Sequence, residues 1–278
     1  MNKKSKIVLL GTGTPNADPA RSGPSIAIVV ENSPYIIDVG PGVIRRASAA
    51  YQAGVDALDI TKLNLVFVTH LHSDHTLGYA DMIFSPWVLE RDNPLQVFGP
   101  PGIKNMTDHL LSAYQLDIHE RINGLEPANH YGYQVNVSEI SPGKIYEDQL
   151  VSVEAFRVNH GSLIAFGFKF YLPDRLIILS GDTAPFECMA DTYKGCDVLI
   201  HEVYSAEGLK NHPPEWQRYH SSVHTSTVEL AKIATLVNPG LLILYHQLFH
   251  GMTEKELLNE IQQSYKGKIV SGKDLEVY

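Results

Sequence analysis

The feature that most constrains this chain is six residues long. His70-Leu71-His72-Ser73-Asp74-His75 follows the apolar stretch LNLVFV at 63–68 after one residue, Thr69. The apolar stretch reads as a buried strand. On an extended or loop segment, residues two apart point to the same side, so His70 and His72 can grip one divalent ion. Asp74 and His75 follow as the backbone turns into a helix; they point elsewhere and can serve a second ion. Neutral imidazole and carboxylate oxygen both suit zinc, iron or manganese.

Two ions need more ligands, and other apolar strands supply them at their ends. FRVNHG places His160 after a strand, LIILSGDT places Asp182, and LLILYHQ places His246. Asp182 is the only acidic residue of the three, and a carboxylate can give one oxygen to each of two cations. The expected site therefore has His70, His72 and His160 on the first ion, Asp74, His75 and His246 on the second, and Asp182 bridging. His250, four residues past the strand end, is the competitor of His246. Zinc is the expected metal, with manganese or iron as alternatives.

The rest of the chain alternates strands and helices. Strands are expected at 6–11, in a hairpin formed by SIAIVVE and YIIDVG, and in LQVFG, YQVNVSEI, VSVEAFRVNHG, AFGFKFYLP, RLIILSGDT, DVLIHEVY and GLLILYHQ, with another at the chain end. Helices are expected at 42–54, near 76–89, at about 103–115, at 225–237, and in TEKELLNEIQQSY. Residues 116–134 and 205–223 read as polar or irregular loops. Two strand-rich halves, each flanked by helices, suggest a single α/β domain over 1–278, a four-layer αββα sandwich.

Composition narrows the function. The formal charge is −9 over 278 residues, a surface that repels nucleic acid unless a basic patch is concentrated locally. The longest apolar runs fall far short of a membrane span. The N-terminal apolar stretch is only IVLL before a glycine, so it reads as a first strand without a signal peptide. Cys188 and Cys196 make no disulfide framework, which fits a reducing cytosol.

The order H-x-H-x-D-H, His, Asp, His resembles that of the metallo-β-lactamase fold hydrolases, and the resemblance runs over nearly the whole chain. It includes IIDVGPG, where Asp38 matches an aspartate that the family uses structurally beside the metal loop. Within the superfamily the chain looks most like ribonuclease Z and its phosphodiesterase and arylsulfatase relatives. LLGTGTP at 9–15, FGPPG at 98–102 and SGDT at 180–183 carry that likeness. LIHEVY at 199–204 resembles the group's H-E-A-T segment, and VHTSTVELA at 223–231 its H-S-T-x-x-x-A segment. By that match His224 helps the leaving group and Glu202 orients it. With the ligand Asp74, these two make up the expected catalytic residues. His201 should point away, since adjacent strand residues alternate sides.

Two departures bear on the substrate. Ribonuclease Z proper carries a long glycine- and proline-rich arm, which grips tRNA, between the third metal motif and the bridging aspartate. Here strands fill the short interval from His160 to Asp182. The last motif reads YHQLFHG, without the group's downstream arginine and tyrosine. With the acidic charge, both departures weigh against tRNA and toward a small anionic ester. The resemblance implies a dinuclear hydrolase, most simply a cytoplasmic homodimeric phosphodiesterase. Another ester class on the same core (aryl sulfate, lactone or carboxylic ester) is the alternative, and a non-catalytic metal-binding protein the alternative of another kind. Trp216 and Tyr219 in the 205–223 segment are candidate stacking residues of the pocket wall. Phe84 and Trp87 are candidates for core or dimer contacts. His119 and His130 are expected in solvent.

Overall fold

In the computed structural model, which describes residues 5–278, the first apolar run forms β1 (Ser5–Gly11). Residues 1–4, the start of the stretch read as leaderless, lie outside the described residues. The chain divides into two compact units. The first holds 5–11, 15–140 and 274–278; the second holds 12–14 and 141–273.

In the first unit β1 pairs antiparallel with β2 (Ser25–Val30), and β2 with β3 (Ser33–Ile37), the expected hairpin. Every residue of β2 is buried, which is why it reads as a continuous apolar run and not as an alternation. Next come α1 (Val43–Gln52), β4 (Leu65–Phe67), α2 (Ser73–Thr76), α3 (Tyr79–Val88), β5 (Leu95–Gly99), α4 (Ile103–Ala113), α5 (Gln115–Asn123) and β6 (Val135–Glu139). The sheet runs in chain order from β1 to β6, with β3 to β6 parallel. The C-terminal residues return to its edge: the Ile7 N–H donates to Tyr278 O and the Tyr278 N–H to Ile7 O, both at 2.9 Å. That pairing covers an edge which would otherwise invite another strand. Phe84 and Trp87 on α3 lie in this core, and the Trp87 indole donates to Asn129 O at 2.8 Å.

In the second unit the strands are β7 (Gly143–Glu147), β8 (Ser152–Arg157), β9 (Phe166–Tyr171) and β10 (Leu176–Leu179). They are followed by α6 (Met189–Tyr193), β11 (Val198–Tyr204), α7 (Ala206–Leu209), α8 (Pro214–Val223), α9 (Thr227–Val237), β12 (Leu241–Leu248), α10 (Glu254–Gln262) and β13 (Ile269–Ser271). The sheet order is β13-β12-β11-β10-β9-β8-β7, parallel from β13 to β10 and antiparallel beyond. β9 and β10 form the hairpin between His160 and Asp182.

Two segments read as loops are largely or partly helical. α5, from Gln115 to Asn123, takes up the first part of 116–134; the apolar residues it packs are a single i, i+4 pair, Ile118 and Ile122, set among charged residues. Arg121 ties Asp117 one turn back and Glu126 beyond the helix end. His119 and His130 are exposed, as expected. α7 and α8 fill most of 205–223. Pro214 opens α8 at the first helical position, where a missing N–H costs nothing, and only Val223 on that helix is buried. With so little buried surface the helix has no apolar stripe to read.

Candidate metal centre

In the first unit the chain leaves β4 at Phe67 and reaches His70 three residues later. The His70 and His72 side chains converge, with Nε2 of His70 3.1 Å from Nδ1 of His72. Two nitrogens bound to one tetrahedral ion at 2.0–2.1 Å stand about 3.3 Å apart. Asp74 and His75 do not point elsewhere. His72 is the N-cap of α2, and that single helical turn brings the chain back, so the His70 and His75 ring centres lie 4.1 Å apart. Asp74 Oδ2 is 3.6 Å from His75 Nε2.

Asp38 organises this cluster. Its carboxylate accepts from the Thr69 N–H at 2.8 Å, from the Thr69 hydroxyl, and from His75 Nδ1 at 2.8 Å. The Thr69 oxygen lies 3.0 Å from His70 Nδ1. Both rings thus hold the proton on Nδ1, which puts the lone pair of His70 and of His75 on Nε2, the tautomer a metal ligand needs. Asp38 itself has a φ of 58°. A non-glycine residue held there costs about 1–3 kcal/mol, against which stand the three hydrogen-bonding groups its carboxylate aligns. Gly40 in the same stretch has no room for a side chain, since a Cβ would meet Asp74 O at 2.6 Å.

The second unit carries the other candidates, all buried. His160 follows β8, and its Nδ1 donates to Val223 O at 2.8 Å, again leaving the lone pair on Nε2. Asp182 follows β10, and its Oδ2 is 3.4 Å from His246 Nε2. Ligand atoms of His160, Asp182 and His224 lie within 4.8 Å of one another, as do those of Glu202, His224 and His246. His246 is not beyond a strand end. It lies inside β12, and the pairing slips there, Glu202 opposing Tyr245 and Val203 opposing Gln247. His246 is the extra residue of that bulge, with a φ of 45°. The bulge re-aims its side chain, and the strand then continues to Leu248. His250 lies elsewhere, against His212 and His220.

Glu202 is no surface carboxylate. It is fully buried in β11, where Oε1 accepts from the Thr183 N–H at 3.1 Å and the Thr225 N–H at 3.0 Å. Those two residues adjoin Asp182 and His224, so one carboxylate clamps both loops. The Thr225 hydroxyl closes the clamp on Thr183 O at 2.6 Å. Glu202 Oε1 also faces His224 Nδ1 at 3.3 Å. Burial, and then the Asp182 charge, push the Glu202 carboxyl well above the ordinary range. His201 points away, as expected: its Nδ1 meets the Glu202 carbonyl at 2.6 Å and its Nε2 the Tyr193 hydroxyl at 3.4 Å. Burial pushes its pKa down to about 4. Thr69, Thr183 and Thr225 were not singled out in the sequence; their one signal was adjacency to His70, Asp182 and His224.

Comparison with known proteins fits this arrangement. The beta-lactamase superfamily domain matches residues 34–247. The chain belongs to the metallo-β-lactamase superfamily. A ribonuclease Z of Mycobacterium marinum is 31% identical over 249 residues, 87% of this chain and 85% of that one. Among solved structures, the metallo-β-lactamase fold protein YhfI of Bacillus subtilis has a TM-score of 0.77 at 14% identity, covering 99% of each chain. The short form of human tRNase Z has a TM-score of 0.72 at 19% identity, covering 98% of each chain. Within the superfamily this metallo-β-lactamase-fold protein is a metal-dependent hydrolase of the ribonuclease Z group. The donor set of imidazole nitrogens and carboxylate oxygens, with its ring protons held on the far nitrogens, fits divalent metal ions.

Proposed function

We propose that this hydrolase is a dinuclear phosphodiesterase. Its ligands are His70, His72 and His160 for one ion, and Asp74, His75 and His246 for the other, with Asp182 shared. Zinc suits these nitrogens and oxygens; manganese and iron remain the alternatives. The observation that carries this reading is the pinned tautomers: Thr69, Asp38 and Val223 O hold the Nδ1 protons of His70, His75 and His160, which leaves each Nε2 lone pair for a metal ion. Bound divalent ions supply an activated water and charge stabilisation for a phosphoryl group.

The chain's own residues do the rest. Asp38 and Thr69 fix the orientation of the ligands. His224 delivers a proton to the leaving oxygen, held at Nδ1 by Glu202, which also ties the loops of Asp182 and His224 together. The named relatives are ribonucleases, which favours an RNA phosphodiester. Against that stand the short β9–β10 hairpin in place of an arm and the net charge of −9. We read the substrate as a small anionic phosphodiester and the enzyme as a cytosolic homodimer of one catalytic domain; the free Cys188 and Cys196 fit that compartment.

A panel of metal-loaded assays tests the reading, comparing nitrophenyl and alkyl phosphodiesters, oligoribonucleotides, aryl sulfates and lactones. Diesters should be turned over fastest; a preference for sulfates or lactones overturns the phosphodiester, and a preference for oligoribonucleotides overturns the small substrate. His224→Ala should cost about 10²–10⁴-fold on an alkyl diester, the usual worth of a general acid. It should cost little on a nitrophenyl diester, whose leaving group departs unprotonated. Equal losses on both remove His224 from the acid role.

A further inference from the structure

The second unit contains a row of rings that the proposed chemistry does not use. Trp216 and His220 stack with centroids 5.9 Å apart and planes at 28°. His220 and His224 stack at 5.7 Å and 29°, and His224 and His246 at 5.8 Å and 25°. Three of the four rungs sit on one edge of the α8 segment, at 216, 220 and 224, the i, i+4, i+8 spacing of a helix face. The His224 N–H still donates to His220 O at 2.9 Å, so the helical register that sets the spacing runs up to His224. Exposure falls along the row, from 51% at Trp216 to 6% at His224 and 1% at His246.

The row is braced from the side. His250 meets His220 nearly edge-on at 4.7 Å and 67°, His212 meets His250 at 4.6 Å and 70°, and Tyr219 meets His220 at 5.1 Å and 71°. Such offset and edge-to-face arrangements are the favoured ones for rings at these separations. His220 is thus in contact with the rings of Trp216, Tyr219 and His250 as well as with His224.

We propose that His220 is a positioning residue for His224, setting the plane of that imidazole by stacking. This rests on the reading of His224 as the leaving-group acid. The physical need is plain. The terminal torsion of a histidine is broad and roughly two-fold. Glu202 approaches His224 at Nδ1, and two rings of the candidate ligands meet it, His160 edge-on at 5.3 Å and 63° and His246 at 5.8 Å and 25°. His220 adds a near-parallel ring from α8, and together these contacts hold Nε2 on a fixed line. The device needs a flat ring at 220, and does not need its nitrogens.

The test uses the metal-loaded full chain and three variants, His220→Gln, His220→Phe and His224→Ala. Each is assayed on an alkyl and a nitrophenyl phosphodiester, with metal content and melting temperature measured alongside. His220→Gln, which removes the ring at similar size, should lose about 10²-fold in kcat on the alkyl diester, the cost of an ångström-scale misplacement. It should change little on the nitrophenyl diester, with KM and metal content unchanged. His220→Phe should keep the wild-type rate on both. As a readout independent of turnover, the ring-current-shifted His224 proton resonances of the metal-free protein should move in His220→Gln and stay shifted in His220→Phe. Loss in His220→Phe equal to that in His220→Gln, equal loss on both substrates, or no loss at all overturns the proposal. If His224→Ala shows the leaving-group dependence and His220→Gln does not, the acid reading stands and the positioning role fails. If His224→Ala lacks that dependence, the acid reading has failed and the positioning role with it.

Discussion

Asp38 shows how much one side chain outside the ligand set can decide. It holds a left-handed backbone and aligns Thr69 and His75, and through Thr69 it reaches His70. Partners of this kind fix ring orientation and raise ligand basicity, and losing one costs about 10–100-fold in metal affinity. Asp38→Ala should therefore weaken metal binding by that factor, read by competition with a chromogenic chelator, while the four residues at His70, His72, Asp74 and His75 stay in place. An unchanged affinity would mean that the His75 tautomer is held by something else. Histidine 201, next to Glu202 in β11, marks the contrast: equally buried, it makes its bonds to Tyr193 and to a carbonyl, and burial keeps it uncharged at neutral pH.

Among the elements, α9 bears most directly on His224, the proposed acid. Its N-terminus is closed by a capping box: the Ser226 hydroxyl accepts from the Glu229 N–H, and the Glu229 carboxylate accepts from the Ser226 N–H at 3.0 Å. Ser226 follows Thr225, whose N–H is clamped by Glu202, and Thr225 follows His224. The cap is thus part of what holds the His224 turn. Ser226→Ala should cost about 1 kcal/mol of stability, measured by denaturant unfolding, and should lower turnover on an alkyl diester more than on a nitrophenyl one. A stability loss with no such difference would confine the cap to folding. The bulge in β12 is the other decisive element. Its extra residue, His246, is a strand residue turned out of the pleat by a local slip against β11.

For the whole molecule, seven proposed ligands on two ions set the metal count. Protein purified without chelator, or reloaded with zinc, should carry close to two ions per chain by elemental analysis; a reproducible value of one or less overturns the dinuclear assignment. Ions bound by the native state alone stabilise it by mass action, about 2.7 kcal/mol when free metal is 100 times the dissociation constant. Chelation should lower the melting temperature accordingly, and zinc should restore it. Asp182→Ala, which removes the carboxylate proposed to be shared, should abolish turnover and reduce the metal count while the chain still folds.

The strand-end histidines and aspartates were legible because the chemistry is local. H-x-H-x-D-H, His160 and Asp182 each follow an apolar run, and an apolar run of that length reads as a strand without knowledge of its neighbours. The strands β1 to β5 and β12, read as short apolar runs, and the helices α1 and α9, read from helical spacing, were legible for the same reason. What the sequence left open either buries too little to show a pattern or depends on contacts between residues far apart in the chain. α5 and α8 bury too little to show a stripe, so only the folded chain reveals them as helices. The clamp of Glu202 on Thr183 and Thr225 joins three segments, and the bulge at His246 arises from its pairing with β11. The ring row from Trp216 to His246 needs both a helix at 214–223 and that bulge, and neither could be read from residue order: α8 buries only Val223 and so shows no apolar stripe, and the bulge is set by the pairing of β12 with β11 across space.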